Sequence, residues 1–447
     1  MGLLAVILFL IIFILILKGY PVAFTLGGVS VLFGLILTWL APDFFSFNDF
    51  YLLPYRIMGT VKNFILIAVP LFIFMGIMLE KSGLAESMLE TMALLFGRIR
   101  GGLAISVVAV GAMLAASTGI VGATVVTMGL ISLPTMLKRG YKTELATGVI
   151  ASSGTLGQII PPSIVLVLLA DTIGSSSRGS SNVDVGSMFA AAIIPGLLLV
   201  LAYIIYILII SNLKKDYAPP MPKEEVAQFL GAGFGMRVLK AFLLPLFLIV
   251  AVLGSIFAGI ASPTEAAAVG ALGATLLTIL QKKFSLKILQ EVMQQTTHLT
   301  AMVFMILLGA TTFSLIFRTL GGDDYLIELI TAANLSPMAF LALVMVVIFI
   351  AGFFIDFIEI IFIIVPVVTP IFDVLGVDML WVGVLIAMNL QTSFLTPPFG
   401  FSLFYLKGVA PPEVTTQHLY RGIIPFIIIQ VLFLGLVIAF PEIIYIF

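Results

Sequence analysis

Two proline pairs sit deep inside apolar runs of membrane-crossing length: Pro161-Pro162 in SSGTLGQIIPPS (152–163) and Pro397-Pro398 in NLQTSFLTPPF (389–399). Proline has no backbone N–H, so each pair removes two donors from a helix, and the carbonyls it frees find no partner in hydrocarbon. Neither segment can be an ordinary lipid-facing helix; irregular backbone at that depth is tolerated where it lines a site. The pairs lie 236 residues apart. Broken segments at matching places in two halves of a membrane chain point to a transporter's binding site.

The remaining chain is consistent with that setting. Of 447 residues, 61% are hydrophobic and only 10% charged, which specifies an all-α polytopic membrane protein. The longest mainly polar stretch, 211–237, is too short for a core of its own and reads as a cytoplasmic linker. A net charge of -1 excludes a nucleic-acid binder, and the lack of cysteine excludes a disulfide framework. The apolar start, Met1 to Leu17, has no basic residue before it and no cleavage signal, so it is expected to be a retained span.

Ten crossings are expected, at about 2–17, 22–40, 62–80, 145–173, 188–210, 238–260, 264–281, 295–318, 379–406 and 422–446. Segments 145–173 and 379–406 are the broken ones, with room for an unwound middle. Two further apolar stretches, 101–137 and 336–374, are too long for one span. In the first, Ser117-Thr118-Gly119 interrupts the helix near mid-membrane; the second opens on Ser336-Pro337, a helix-start pair. Both are expected to be re-entrant hairpins, entering from opposite faces.

With the N-terminus outside, 17 of the 21 basic residues fall in inner loops, leaving Arg56, Lys62, Arg178 and Arg318 outside, as the positive-inside rule requires. Five crossings per half is odd, so the halves enter the membrane in opposite senses and form an inverted repeat, 1–210 and 238–447. The register holds at an offset of 236, with Pro134 meeting Pro370 and the two proline pairs aligned. Each repeat then holds scaffold spans (1–82; 238–318), a short amphipathic arm lying in the interface (83–99; 323–335), a hairpin, a broken helix and a last span.

Several segments carry a family resemblance: FILIAVPLFIFMGIMLEKSGLAE (64–86), LPTMLKRGY (133–141), GTLGQIIPPSI (154–164), SPTEAAAVGAL (262–272) and LTPPFGFSLFYLKGVAP (395–411). Through these the chain resembles the large, DctM-like membrane subunit of tripartite ATP-independent periplasmic (TRAP) transporters, within the wider ion transporter superfamily. The resemblance implies an elevator-type, sodium-coupled importer of organic anions in the bacterial inner membrane. It implies two partners, a small four-span membrane subunit and a periplasmic substrate-binding protein, with no cofactor beyond Na+ as coupling ion. Both termini are expected on the periplasmic side. A self-sufficient divalent-anion or metabolite symporter of the same superfamily is the alternative.

A hairpin tip meeting an unwound loop offers carbonyls and hydroxyls, the hard oxygens Na+ needs, and half-helix N-termini offer positive dipole ends to a carboxylate. The first-half candidates are Ser117, Thr118, Gly119, Ser153, Gly154, Thr155, Gly157, Pro161 and Pro162. The second-half candidates are Gly352, Asp356, Asn389, Gln391, Thr392, Ser393, Thr396, Pro397 and Pro398. The competing role for each hydroxyl is a bond to its own helix or to a neighbour. Three acids lie in apolar spans, where each costs about 2.5 to 3.5 kcal/mol. Glu265 can close a capping box with Ser262. Asp356 is assigned to the ion or substrate site, and Glu359 either supports it or pairs with a base of the small subunit. His298 and His418 lack a second ligand, so no metal other than sodium is expected. No HExxH, GxGD or paired Ser/His motif of an intramembrane protease is present, an ABC permease would lack the inverted broken-helix pattern, and a channel would put its gaps on a pore axis.

Overall fold

The computed structural model describes residues 2–42, 45–177, 183–222 and 234–446, with Ser117, Thr118 and Arg237 described by their backbone alone. Residues 223–233 of the linker 211–237 and the charges of Asp43, Arg178 and Lys223 therefore lie outside the described residues. Among those described, every element is helical. In chain order they are α1 (Gly2–Leu17), α2 (Val22–Leu40), α3 (Leu52–Val61), α4 (Phe64–Lys81), α5 (Leu84–Leu95), α6 (Gly102–Thr118), α7 (Val121–Lys138), α8 (Thr143–Thr155), α9 (Ile164–Ser176) and α10 (Val185–Leu213). The second half continues with α11 (Phe234–Phe257), α12 (Pro263–Leu280), α13 (Leu286–Thr319), α14 (Gly322–Ala332), α15 (Pro337–Ala351), α16 (Phe357–Val374), α17 (Met379–Leu395), α18 (Phe401–Val409) and α19 (Thr416–Ala439). Nine of them are long and apolar enough to cross a membrane.

One half of the packing is a frame around α4. Its neighbours α12 and α13 lie along it, and α12 turns the small residues Ala266, Ala267, Gly270 and Ala274 into the contact. A methyl at Gly270 would come within 2.7 Å of Met75 Sδ, which shows how close small residues let two helices approach. The start of α12 is the expected capping box: Ser262 N and Oγ both donate to Glu265 Oε2 at 2.8 Å, and Glu265 N returns a bond to Ser262 Oγ at 3.3 Å. Loss of such a cap costs about 1 kcal/mol, so Ser262→Ala should lower the thermal unfolding temperature of the purified chain by only about a degree, without touching the site. Lys283 Nζ fastens α5 to this frame, donating to Gly83 O at 3.0 Å and Ser87 Oγ at 3.2 Å.

The other half of the packing is an exchange between the two repeats. Each hairpin's first arm packs on its own broken helix, α6 on α8 and α15 on α17. Each second arm packs on the far piece of the other repeat's broken helix, α7 on α18 and α16 on α9. A second crossover ties α19 to α8, where a methyl on Gly148 would fall 2.1 Å from Gly422 O and one on Gly422 would fall 2.1 Å from Glu144 O. Only glycine fits such a crossing. At the base of the first hairpin the buried Tyr141 phenol receives Leu103 N at 3.3 Å, and burial pushes its pKa up to about 12.

Boundaries differ from expectation where polar turns continue a helix past hydrocarbon. The span expected at 295–318 begins at Leu286, because Ser285 Oγ accepts from Ile288 N at 3.1 Å and caps about two and a half further turns. The span expected at 422–446 runs Thr416 to Ala439. Thr415 caps it reciprocally with His418, and Pro441 then opens a 3-10 turn in which Tyr445 Oη bonds Asp378. Helix α3 was not expected at all; it buries no residue, so its sequence carries little core-facing periodicity.

Candidate functional site

The helix breaks are shorter than a fully unwound middle. A proline at i deprives the carbonyl at i−4, so Pro161 and Pro162 strip Gly157 and Gln158, while Pro397 and Pro398 strip Ser393 and Phe394. Helix geometry therefore survives up to those acceptors. α8 runs through Thr155 with one 3-10 turn over Leu156–Gln158, and α17 runs through Leu395. Ser153, Gly154, Thr155, Asn389, Gln391, Thr392 and Ser393 are thus helical, not unwound as the sequence had suggested. The same repair occurs in both halves, for Ser163 Oγ donates to Gln158 O at 3.1 Å and Ser402 Oγ to Phe394 O at 3.0 Å.

Each hairpin tip is pressed against its broken helix through a glycine. At the first tip Gly119 takes a left-handed φ of +61°, and a methyl there would lie 2.9 Å from Ile164 Cγ1. Added to Gly157, a methyl would lie 2.2 Å from Ala115 O; added to Gly154, 2.3 Å from Val125 Cγ2. At the second tip Gly352 faces Ser393, whose Oγ would be 2.1 Å from an added methyl. Ser393 is 236 residues after Gly157, and Gly352 is 236 after Ala116. The close approach is therefore common to both halves, but the glycine comes from the loop in one and from the hairpin in the other.

Most candidate hydroxyls bond within their own helix. Ser153 donates to Ile150 O at 3.1 Å, Thr155 to Ser152 O at 2.9 Å, Thr392 to Met388 O at 2.8 Å, Ser393 to Leu390 O at 2.8 Å and Thr396 to Thr392 O at 2.7 Å. A hydroxyl that donates its proton still carries two lone pairs. Asn389 Nδ2 reaches Met345 O at 2.7 Å and joins α17 to the first arm of the second hairpin. The side-chain positions of Ser117 and Thr118 lie outside the described residues. Gln391 is buried with neither amide atom partnered, and so is Gln158, which sequence reading had passed over. Both belong to the pieces of the broken helices that pack on each other. Pro161 and Pro162 are buried, whereas Pro398 is exposed and its carbonyl accepts from Tyr420 Oη at 3.0 Å.

Asp356 has two tasks. As N-cap of α16 its Oδ1 accepts from Phe357 N at 2.7 Å, and Glu359 Oε2 accepts from Asp356 N at 3.1 Å, so the two acids form a capping box. Asp356 also borders a cavity of about 310 Å³ shared with Ile120 and the first turn of α7 (Val121, Gly122, Ala123), Val126, Phe357, Phe394 and Tyr405. Both hairpin tips, one break and the far piece of the second broken helix thus meet at one space. Of the residues singled out by sequence whose side chains are described, Asp356 alone borders it. The aromatic walls were not foreseen, although Tyr405 stands inside the LTPPFGFSLFYLKG run. A second cavity, about 420 Å³, lies between α3, α13, α9 and α16, where Asn63 Nδ2 donates to Asp171 Oδ1 at 2.6 Å; no described tip side chain borders it. Among the described residues no group of three His, Cys, Asp or Glu side chains could hold a metal ion.

Comparison with known proteins returns one consistent set. The family described as "Tripartite ATP-independent periplasmic transporter, DctM component" matches residues 9–443. The chain is 31% identical over 400 residues to the C4-dicarboxylate TRAP transporter large permease protein DctM of Pseudomonas aeruginosa, covering 89% of this chain and 90% of that one. It is 30% identical to the ectoine TRAP transporter large permease protein TeaC of Halomonas elongata, covering 96% and 95%. Among solved structures, the Alcanivorax borkumensis YdaH transporter superposes with a TM-score of 0.63 at 15% identity, over 88% of this chain and 89% of that one, a likeness of fold.

Proposed function

The chain belongs to the DctM component family of tripartite ATP-independent periplasmic transporters, and from that premise we propose that it imports an organic acid with sodium across the bacterial inner membrane. In this reading a periplasmic binding protein hands the acid over, and a small four-span subunit covers part of the apolar surface of the frame. The observation that carries it is the convergence of both hairpin tips on the cavity beside Asp356. The first three residues of α7 have no intrahelical acceptor for their N–H groups and no side-chain cap. Their amides and the helix dipole favour a carboxylate there.

An anion beside Asp356 needs a cation close by, which is the physical reason for coupling. Oxygens for Na+ come from the tips and breaks. Gly119, Gly157 and Gly352 let each tip close on its broken helix, and the hydroxyls of Thr155 and Thr396 keep lone pairs after donating to their own helices. The interleaved hairpins and broken helices travel as one body against the frame of α4, α12 and α13, an elevator motion braced by the arms α5 and α14.

Reconstitution tests this. In liposomes the chain with its small subunit, the loaded binding protein and external Na+ should accumulate substrate, and omission of any one of them should reduce uptake to background. Concentrative uptake by the isolated chain would replace this reading with a self-sufficient symporter.

A further inference from the structure

We propose that the acid carried through the central cavity is a monocarboxylate with an apolar body, branched or aromatic, and not a dicarboxylate or a sugar acid. This rests on the reading of that cavity as the substrate site, and it concerns only what the walls select. Val121, Val126, Phe357 and Phe394 present hydrocarbon, and Tyr405 adds a ring. Phe394 further lies against Phe357 and Phe401, with ring centroids 6.2 and 5.1 Å away and the rings tilted by 56° and 34°, so the aromatic wall is held in place by its neighbours.

Among the described residues Asp356 is the one charged side chain on the wall, and no Lys, Arg or His borders the cavity. A second carboxylate on the ligand would meet this acid with no basic side chain to offset it. A set of sugar hydroxyls would give up water for valine and phenylalanine and leave most of its hydrogen bonds unmade. An isobutyl or phenyl group instead exchanges water for apolar contact, the favourable direction. The volume of about 310 Å³ has room for either body.

The test uses the purified chain with its small subunit and no binding protein, so that the partner's own selectivity does not intervene. Thermal stabilisation is titrated with phenylacetate, 4-methylpentanoate, succinate and gluconate, in sodium and again in potassium. The potassium series subtracts the nonspecific partition of apolar acids into detergent. The two apolar acids should act in sodium at concentrations at least about 10-fold below succinate and gluconate, the scale on which apolar pockets discriminate. Val126→Thr, which keeps the shape and adds a hydroxyl, should narrow that gap, and Phe394→Leu should weaken phenylacetate more than 4-methylpentanoate. Succinate or gluconate acting at equal or lower concentration would overturn the assignment, as would an unchanged preference in both variants. Absence of any sodium-dependent stabilisation by all four acids would overturn it at its root, by removing the carboxylate site itself.

Discussion

Gly352→Ala should silence uptake, and adding Ser393→Gly in the same chain should restore it. The added methyl would lie 2.1 Å from Ser393 Oγ and 2.8 Å from Ser393 Cβ, both inside the distance any real methyl tolerates. Ser393 cannot turn aside cheaply, since its hydroxyl is bonded to Leu390 O at 2.8 Å and its surroundings are fully buried. The hairpin tip must therefore lift, and a displacement of about 1 Å at a site built on positioning is worth on the order of a 100-fold loss. The paired change moves the glycine from the hairpin to the broken helix, the arrangement the first half already uses with Gly157 against Ala115. Uptake in proteoliposomes at matched protein content is the measurement, with thermal stability as the control for folding. Normal transport by Gly352→Ala alone would show that the tight seat of the tip is not needed. Failure of the double variant would show that the halves are not interchangeable in this respect.

The parts of this architecture legible in sequence are those written in backbone chemistry. A missing N–H is visible in the letter P, so both breaks could be located, and the structure places them at the four carbonyls the two pairs deprive. Run length was equally readable, because 101–137 and 336–374 exceed one span and each folds as two helices, α6 with α7 and α15 with α16. The walls of the cavity were not legible. Phe357, Phe394 and Tyr405 stand in apolar helices where an aromatic residue facing a cavity and one facing lipid have the same local pattern. Their meeting with Val121 and Val126 depends on the exchange of partners between repeats, α7 on α18 and α16 on α9, which no periodicity records. Asp356 was found because a charge in hydrocarbon is costly, yet its capping of α16 was overlooked while the same Ser/Asp-x-x-Glu spacing was recognised at Ser262. Gln158 was hidden in the quoted GTLGQIIPPS run, since an amide carries no charge penalty to draw attention.

Uptake should depend on sodium with a Hill slope above one, rise when the interior is made negative, and lose cooperativity when Thr155 or Thr396 is replaced by valine. Each repeat sets a hairpin tip against a broken helix, with Gly157 against Ala115 in one half and Gly352 against Ser393 in the other. Each half should therefore form its own cation site, giving at least two Na+ per cycle. The energetics separate this from single-ion coupling. A charge crossing 100 mV is worth about 2.3 kcal/mol, so a monoanion moving with two Na+ carries one net positive charge inward and gains about that much from the potential. With one Na+ the movement is neutral and the potential contributes nothing. Thr155→Val and Thr396→Val each delete an oxygen while keeping the branched shape, and each should leave the other half's site in place, so the slope should fall towards one while residual uptake persists. Asp356→Asn provides a separate check, because removal of the one charged side chain that borders the cavity among the described residues should raise the sodium concentration for half-maximal rate. Imposing potassium-diffusion potentials on proteoliposomes measures both quantities at once. A slope of one in the unmodified protein, with no response to potential for a monoanionic substrate, would leave only one of the two repeats binding a cation.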